Sequence, residues 1–312
     1  SVEIVAVNNP LGKGEEISHF IHMLKYDTVH GRLEGHDIKV GDGFFSVDGK
    51  KVTFNTERDP AAIDWSKDGV QVVVDSTGIF KDMAGLGKHM RGTVQKVVMS
   101  APGDGLDATI VMGVNEHVYD KTKHNIVSNA SCTTNCLAPV AKVIDNAFGI
   151  EKGLISTCHA VTNDQNIVDS QHSDLRRARS GFQNLLLTST GAAKAVAVVL
   201  PHLKGKLDGM SIRVPVIDVS IVDATFIVKK DVTVEEVNKV LKDASETPEF
   251  KGILGYSEEE LASSDYIGDS RSSIVDSLFT KVMGGNMVKV MSWYDNEYGY
   301  SCRVLDLVKI LL

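Results

Sequence analysis

Short β-branched runs alternate with helical or turn segments through the first half of the chain, and this alternation restricts the fold more than any other feature. The runs are VEIVAV, QVVVDSTG, KVVMSA and NIVSNA, and the first helical segment is EEISHFIHMLKY. Such a pattern predicts a parallel sheet whose strands are joined by crossover helices. We therefore expect an α/β domain at the N-terminal end.

Small polar residues follow several of these strands. The carboxyl ends of the strands are where open α/β sheets place their ligands. The residues are Asn8, Asn9, Ser76, Thr77, Gly78 and Ser100. The pattern indicates a nucleotide-type site at this edge of the sheet.

The second half of the chain has a different pattern, which begins with the helix CTTNCLAPVAKVIDNAF. The strand GLISTCHAVT follows, and then a polar stretch over residues 162–187 that is long for a simple connection. Next come a helix ended by Pro201, the alternating strands GMSIRVPV and VSIVDATFIVKK, a helix with a capping box from Thr233 to Glu236, and the strand VKVMSWY. We predict an α+β domain with a mostly antiparallel sheet.

The chain has 312 residues, which is enough for two domains with separate cores. We predict a first, nucleotide-binding domain over residues 1–131 and a second domain over residues 132–296. The last segment, EYGYSCRVLDLVKILL, has the pattern of an amphipathic helix. We expect this helix, residues 297–312, to pack back on the first domain.

The net charge of −8 argues against a broad nucleic-acid surface or a surface for anionic membranes. No apolar stretch reaches the roughly 20 residues of a membrane helix, and the start lacks the pattern of a signal peptide. Four cysteines in so long a chain are too few for a disulfide scaffold. We therefore expect a cytoplasmic protein with free thiols.

Two cysteines, Cys132 and Cys136, stand four positions apart in SNASCTTNCLAP. A structural zinc site would need a second pair of ligands, which the sequence does not offer, so we predict no metal. Cys132 falls where a strand passes into a helix, and the dipole at a helix N-terminus lowers a thiol pKa. Cys136 lies one turn deeper and is interpreted as structural. The best candidate base for a nucleophilic Cys132 is His159, because Cys158 points to the opposite face of its strand.

A second group of residues has the character of anion sites. Thr190 and Gly191 open a helix, whose free N–H groups favour a phosphate. Arg213 lies in an alternating strand on the same face as Ser211, and Arg176, Arg177 and Arg179 lie in the long polar stretch. Together they predict a selective pocket for phosphorylated small molecules.

The motifs SNASCTTNCLAP, HAVTND, DLRRAR, STGAAKAV, MSIRVP and SWYDNEYGYS stand in this order along the chain. In content and order the chain closely resembles the phosphorylating glyceraldehyde-3-phosphate dehydrogenase family, from residue 1 to residue 312. The resemblance implies a Rossmann-type dinucleotide-binding domain, with its first βα unit absent, and an α+β catalytic domain. It also implies oxidative phosphorylation of D-glyceraldehyde 3-phosphate to 1,3-bisphosphoglycerate in glycolysis or gluconeogenesis.

The resemblance assigns roles to individual residues. Cys132 would attack the aldehyde and His159 would act as the base, and phosphate would then attack the thioester. Thr162, Asp164 and Arg213 would hold the substrate phosphate, while the attacking phosphate would be held by Ser131, Thr133, Arg177, Thr190 and Gly191. The cofactor, NAD or NADP, would be bound by Asn8, Asn9, Arg58, Ser76, Thr77, Gly78, Ser100, Asn163, Asn296 and Tyr300. The polar stretch would lie beside a neighbouring subunit's cofactor, which implies a homotetramer.

The sequence departs from the family at its start, where the family carries a strand, a Gly-x-Gly-x-x-Gly turn and a helix. Gly12 and Gly14 follow a strand, yet Ile17 stands where the third glycine belongs, and GDGLDA at 103–108 precedes a strand. We interpret both as chance matches. We expect an N-terminally truncated sequence, with about 25 to 30 further residues upstream that contain the glycine turn.

A second departure concerns cofactor choice. Asn9 stands where family members usually have an aspartate, which would repel a 2′-phosphate, and Ser170 and Gln171 replace a Leu-Pro pair. We therefore expect NADP to be tolerated better than by an NAD-specific relative. Three other functions fit the same residues. The chain could be a relative that oxidises erythrose 4-phosphate, a biosynthetic member that runs the reaction in reverse with NADPH, or a non-catalytic binding protein that has lost the glycine cradle.

Overall fold

The computed structural model describes residues 2–10 and 16–312. The chain divides into two compact units. The first unit consists of Ser1–Ala108, Asp120–Asn129 and Leu305–Leu312, and the second of Thr109–Tyr119 and Ala130–Val304. This division groups Thr109–Tyr119 with the second unit and cuts the last helix after Val304, whereas the domain boundary at residue 131 stays a prediction.

In its described residues, the first unit contains two main sheets, a small hairpin, two complete α-helices and the end of the last helix. The first sheet has the order β1-β6-β5-β4, formed by β1 (Ala6–Asn8), β4 (Ile38–Gly41), β5 (Phe44–Val47) and β6 (Lys50–Asn55). The second contains β7 (Val72–Asp75), β8 (Lys96–Met99) and β10 (Ile126–Ser128), which are parallel. The remaining elements are α1 (Ile17–Lys25), the hairpin of β2 (Tyr26–Asp27) and β3 (Gly31–Arg32), α2 (Met83–Leu86), and β9 (Ala108–Thr109) at the passage to the second unit.

Two of the three parallel strands, β8 and β10, are buried on both faces. All four residues of β8 are buried, and so are the three residues of β10. Strands that are covered on both sides read as continuous apolar runs rather than as alternating ones. The polar residues that follow β7 and β8 therefore stand at the carboxyl edge of this parallel sheet.

The second unit is a seven-stranded sheet with the order β12-β13-β11-β14-β17-β16-β15. Its strands are β11 (Ile150–His159), β12 (Leu186–Ser189), β13 (Leu207–Arg213), β14 (Ser220–Val228), β15 (Leu254–Ser257), β16 (Ser273–Met283) and β17 (Met287–Tyr294). Its helices are α3 (Cys132–Phe148), α4 (Ala192–Val199) and α5 (Val234–Ser245), and α6 (Tyr298–Leu311) closes the chain. Only the β11–β13 and β15–β16 pairs are parallel, so the prediction of a mostly antiparallel sheet is confirmed.

Helices cover one face of this sheet. α3, α4 and α5 pack on it and bury an apolar core that includes Leu137, Ile144, Ile155, Phe226 and Val290. α5 begins with the predicted capping box, in which Thr233 accepts from the Glu236 N–H while Glu236 accepts from the Thr233 N–H. The helix-covered face therefore forms the core, and the opposite face carries no helix of this unit.

Two predictions about glycines have different outcomes. Gly12 and Gly14 lie outside the described residues. GDGLDA leads into β9, as expected, and not into a helix.

In the part of the chain that the structure describes, no helix is both long and apolar enough to cross a membrane.

Candidate active site

Cys132 is the first residue of α3, as the sequence predicts. Ser131 caps the helix, because its Oγ accepts from the Thr134 N–H at 3.1 Å. The preceding Ala130 has φ +55°, a left-handed conformation that costs energy for any residue with a Cβ. The Tyr300 hydroxyl donates to the Ala130 carbonyl at 2.9 Å. The thiol is therefore presented by a sharply turned, supported entry into the helix.

The register of the sheet places four polar side chains in one row on its helix-covered face. Arg213 of β13 is paired with His159 of β11, His159 adjoins Ser220 of β14, and Ser220 is paired with Tyr294 of β17. Side chains directly opposite each other on neighbouring strands lie within contact distance. The row thus assembles a polar surface from four strands beneath the N-terminus of α3.

The thiol and the imidazole meet at this surface. Cys132 Sγ lies 3.5 Å from His159 Nε2, which is within reach of proton transfer. Cys136 is fully buried one turn below, with its Sγ 3.6 Å from Ser273 Oγ, and burial raises its pKa to about 12. Cys158 neighbours His159 on the strand but lies on the other face. Of these three cysteines only Cys132 is placed to react with the help of His159.

The electrostatics of the pair differ from the expectation for Cys132. Burial raises the pKa of the Cys132 thiol, and the Thr133 N–H and the Arg213 charge offset this only in part. The N–H groups at the helix end do lower this pKa, as predicted, but desolvation of the thiolate is the larger effect, so the net pKa is raised. Burial, followed by the charge of Arg213, lowers the pKa of His159 to about 4. At neutral pH both groups are therefore uncharged.

Two residues of the row escaped the sequence analysis. The buried Tyr294 hydroxyl lies 2.8 Å from Thr133 Oγ1 and 3.0 Å from Thr157 Oγ1, and its ring meets the His159 ring edge-on at 6.0 Å. Ser220 Oγ accepts from the Ala160 N–H and donates to Asn296 Oδ1 at 2.7 Å. Both lie in quoted strands, yet their roles depend on cross-strand register, which the sequence does not display.

The predicted phosphate residues are linked by an ion pair. Asp164, assigned to the substrate phosphate, pairs with Arg177, assigned to the attacking phosphate. Thr188, which the sequence analysis did not select, accepts from Arg177 Nε and Nη2 at 3.1 and 2.9 Å. Burial and the charge of Arg177 both lower the pKa of Arg213. The cationic residues of the two predicted anion sites therefore influence each other electrostatically.

The other predicted phosphate ligands are already engaged with protein atoms. Thr162 donates its N–H and hydroxyl to Gln165 Oε1 at 2.9 and 2.8 Å. Thr190 Oγ1 accepts from the Ala192 N–H at 3.2 Å, so that Thr190 and Gly191 open α4 as predicted. Thr133 is buried against Tyr294, and Ser131 Oγ lies 2.7 Å from Thr134 Oγ1. Their roles toward phosphate stay predictions.

The cofactor residues of the first unit lie at the ends of its strands. Asn8 ends β1, and its side chain both donates to the Glu57 carbonyl and accepts from the Glu57 N–H. Asn9 donates its N–H to the Asn55 carbonyl, and Arg58 is exposed just beyond Glu57. The turn over residues 76–78 follows β7, and Ser100 follows β8. In the second unit Asn163 is exposed, and Asn296 contacts Ser220 as described.

Comparisons with known proteins agree with this geometry. Residues 1–83 match the family model described as glyceraldehyde 3-phosphate dehydrogenase, NAD binding domain, and residues 131–296 match the corresponding C-terminal domain. The chain is 52% identical over 311 residues to a Priestia megaterium protein named glyceraldehyde-3-phosphate dehydrogenase, covering all of this chain and 91% of that one. It is 55% identical over 306 residues to glyceraldehyde-3-phosphate dehydrogenase 1 of Bacillus cereus, covering 98% and 90%.

A cysteine and histidine pair beside arginine residues, joined in one chain to a parallel-sheet domain of the NAD-binding type, defines an NAD-dependent aldehyde dehydrogenase with a thiol nucleophile. The matched models and the identity over nearly the full chain specify it further. The chain belongs to the glyceraldehyde 3-phosphate dehydrogenase family.

Proposed function

We propose that this chain oxidises glyceraldehyde 3-phosphate and conserves the energy as an acyl phosphate, with Cys132 as nucleophile and His159 as base. The observation that carries the proposal is the 3.5 Å approach of Cys132 Sγ to His159 Nε2 at the start of α3. Family membership supports the substrate, since the relatives named above are glyceraldehyde-3-phosphate dehydrogenases.

His159 Nδ1 has two neighbours that favour opposite tautomers. The Ala160 carbonyl oxygen at 2.8 Å can only accept and favours a proton on Nδ1, whereas Arg213 Nη1 at 2.9 Å can only donate. We propose the tautomer with the proton on Nδ1, in which Arg213 Nη1 donates to the Ala160 carbonyl at 3.2 Å and the Nε2 lone pair faces the thiol. With its pKa near 4, the imidazole is neutral and ready to accept a proton. We infer that Cys132 attacks as it transfers its proton to His159, which avoids a free thiolate in a buried place.

Substrate binding strengthens this base. Arg213 Nη1 lies 2.9 Å from His159 Nδ1, and the positive charge opposes protonation of the ring. A phosphate dianion bound to Arg213 would offset that charge and raise the pKa of His159. In our proposal the substrate phosphate thereby helps His159 to accept the thiol proton. His159 returns this proton to the aldehyde oxygen as the thiohemiacetal forms on Cys132, and it later accepts the hydroxyl proton of that thiohemiacetal.

The residues present fit a nicotinamide dinucleotide. In the first unit, a Cβ on Gly78 would meet nothing within 4 Å, which leaves room beside the turn after β7. In the second unit, the Ser220 hydroxyl donates to Asn296 Oδ1, so the Asn296 amide nitrogen can donate to a carboxamide oxygen of the cofactor. We propose that these residues hold NAD, which when bound accepts the hydride. Tolerance of NADP stays a prediction.

Product analysis tests the proposal and its alternatives. We expect NADH formation from D-glyceraldehyde 3-phosphate to require inorganic phosphate and to yield 1,3-bisphosphoglycerate, and Cys132→Ala to abolish it. Faster turnover of erythrose 4-phosphate would assign the chain to that substrate instead. Absence of turnover with either aldehyde, in a chain that binds NAD, would indicate a binding protein and refute the proposal.

We further propose that the chain assembles as a homotetramer. The uncovered face of the seven-stranded sheet carries a row of apolar side chains in register across five strands, and its members are Leu187, Ile212, Cys158, Ile221 and Trp293. Leu154 on the same face is 71% exposed, and in the polar stretch Leu175 is 83% exposed. Asp223 and Lys289 on this face neutralise each other. Such surfaces are typical of interfaces between copies of one chain.

We also propose a cytoplasmic location. The four cysteines form no disulfide, and the reaction requires Cys132 to remain a thiol. Cell fractionation with an antibody to the chain tests this location, and recovery in a secreted fraction would contradict it.

A further inference from the structure

A buried aspartate holds the turn that the sequence analysis assigns to the cofactor. Asp75 is the last residue of β7 and is 5% exposed. Its Oδ1 accepts from the Thr77 N–H at 2.9 Å and from the Thr77 hydroxyl at 2.7 Å. Thr77 Oγ1 in turn accepts from the Ile79 N–H at 3.1 Å. One carboxylate oxygen therefore fixes the path of the chain from Ser76 to Gly78.

The same aspartate also supports a second strand end. The Ser100 N–H donates to the Asp75 carbonyl at 3.0 Å, which ties the residue after β8 to the residue that ends β7. Gly78 adopts φ +65°, the left-handed conformation that closes the turn. Three of the predicted cofactor residues, Ser76, Thr77 and Ser100, thus adjoin Asp75 in sequence or by hydrogen bonding, and Gly78 belongs to the same turn.

A histidine and a tryptophan lie behind the aspartate. His89 Nε2 is 3.2 Å from Asp75 Oδ2, and Trp65 Nε1 donates to His89 Nδ1 at 3.3 Å. His89 is 5% exposed and Trp65 is 7% exposed. An indole N–H can only donate, so His89 Nδ1 must accept and the ring proton must reside on Nε2. The direction of both hydrogen bonds therefore follows from their chemistry.

We propose that Trp65, His89 and Asp75 form a positioning relay for the cofactor-binding turn, in which Trp65 fixes the tautomer of His89, His89 orients Asp75, and Asp75 shapes the turn. The inference rests on the proposed cofactor role of residues 76–78. Three donors, Thr77 N–H, Thr77 O–H and His89 Nε2–H, converge on Asp75, and this requires an acceptor at both oxygens. Burial would raise the pKa of Asp75, but the bonds from His89 and Thr77 lower it overall, so the carboxylate remains ionised.

The relay predicts an unusual mutational pattern. In Asp75→Asn one oxygen of the side chain is replaced by an NH2 group, which can only donate. This group then faces another donor, either the Thr77 N–H or His89 Nε2–H. His89 cannot adapt by changing its tautomer, because Trp65 N–H occupies Nδ1. In the double variant Asp75→Asn/Trp65→Phe the indole donor is gone, so His89 can carry its proton on Nδ1 and accept from the asparagine. We therefore expect Trp65→Phe to restore part of what Asp75→Asn loses.

The test measures equilibrium NAD binding to the full chain by calorimetry. Loss of a hydrogen bond to a charged group corresponds to about tenfold weaker binding or more, which we expect for Asp75→Asn. The double variant should bind more tightly than Asp75→Asn alone. Asp107→Asn is the matched control, because Asp107 accepts from the N–H groups of Asn125 and Ile126, away from the turn. We expect its NAD affinity to be unchanged.

A second pair of variants covers the case in which Asp75→Asn does not fold. His89→Gln keeps an N–H donor for Asp75 and should retain NAD affinity, whereas His89→Met lacks the donor and should weaken it. Nitrogen NMR of the wild-type chain should show His89 with its proton on Nε2. Iodoacetamide labelling of Cys132 without cofactor should be the same in all variants, since the relay acts on the first unit.

The outcomes separate this inference from the proposed function. Equal NAD affinity of wild type, Asp75→Asn and His89→Met would overturn the relay and leave the proposed function intact. If the double variant binds NAD more weakly than Asp75→Asn alone, the relay is also overturned, because two independent losses of packing would weaken binding additively. A wild-type chain that does not bind NAD would overturn both.

Discussion

At the scale of single residues, the site is dominated by the effect of burial on charge. Cys132 and His159 are both uncharged at neutral pH, because burial disfavours the thiolate and the imidazolium alike. The charge of Arg213 favours deprotonation of Cys132 but opposes protonation of His159. The pair is therefore set for a concerted proton transfer rather than for a standing ion pair.

The low pKa of His159 affects stability in acid. In the unfolded chain an imidazole binds its proton near pH 6.5, whereas folded His159 does so only near pH 4. The stability that results is present above pH 6.5 and is lost as the pH falls from 6.5 to 4. We predict that His159→Gln loses less unfolding free energy over this range than wild type, by roughly 3 kcal/mol at most. Urea titrations at pH 7 and 4.5 measure this difference, and parallel losses would contradict it.

The predicted tolerance of NADP depends mainly on Asn9. It follows β1 and is tied to Asn55 through its backbone, so the side chain can be exchanged without changing that bond. We predict that Asn9→Asp lowers kcat/KM with NADP and changes kcat/KM with NAD much less, because a carboxylate repels a 2′-phosphate. Steady-state kinetics with both cofactors decide this. The prediction fails if wild type already uses NAD almost exclusively.

At the scale of elements, the sheet register produces the site. The sequence analysis identified α3, β11, β13 and β17 and the residues Cys132, His159 and Arg213, because motifs and periodicity mark them. It did not find Tyr294 and Ser220 as members of the row, since their neighbours belong to strands far away in sequence. It also missed the Asp164–Arg177 pair, because the segment that holds both has no periodic pattern to indicate its path.

The sequence analysis also did not predict the strands β4, β5, β6 and β16, for reasons that can be identified. The hairpins of β4, β5 and β6 turn at Asp42–Gly43 and Asp48–Gly49, and such Asp-Gly pairs are hairpin signals that the sequence analysis did not use. Gly43, Asp48 and Gly49 all have positive φ, as these turns require. β16 was missed because its register shifts between Asp276 and Lys281, which breaks the two-residue alternation.

Tyr294 tests the cross-strand row. Its hydroxyl contacts the hydroxyls of Thr133 on α3 and Thr157 on β11, all of them buried. Tyr294→Phe leaves both threonines without this contact, so we predict a loss of about 1 to 3 kcal/mol in unfolding free energy, together with slower alkylation of Cys132. Chemical denaturation and labelling rates measure the two effects. Thr157→Val, which removes one contact only, is the comparison, and if it affects stability more than Tyr294→Phe, the row does not act as described.

At the scale of the whole molecule, the uncovered sheet face is the feature that a single chain does not explain. If it is an interface between copies, a charge on it should weaken assembly. We predict that wild type sediments with the mass of four chains and that Leu154→Lys shifts it to smaller species. Met23→Lys, at a residue 69% exposed on α1, is the control and should leave the mass unchanged. A monomeric wild type would contradict the proposed tetramer.

The central claim is that Cys132 is the nucleophile and His159 its base. Iodoacetamide labelling of the native chain, followed by mass spectrometry of each cysteine peptide, tests it most directly. We predict that Cys132 reacts much faster than the buried Cys136 and than Cys158 on the opposite sheet face, and that His159→Gln slows Cys132 by about a hundredfold or more. If Cys132 reacts no faster than Cys136, or if its rate is unchanged in His159→Gln, the mechanism is wrong.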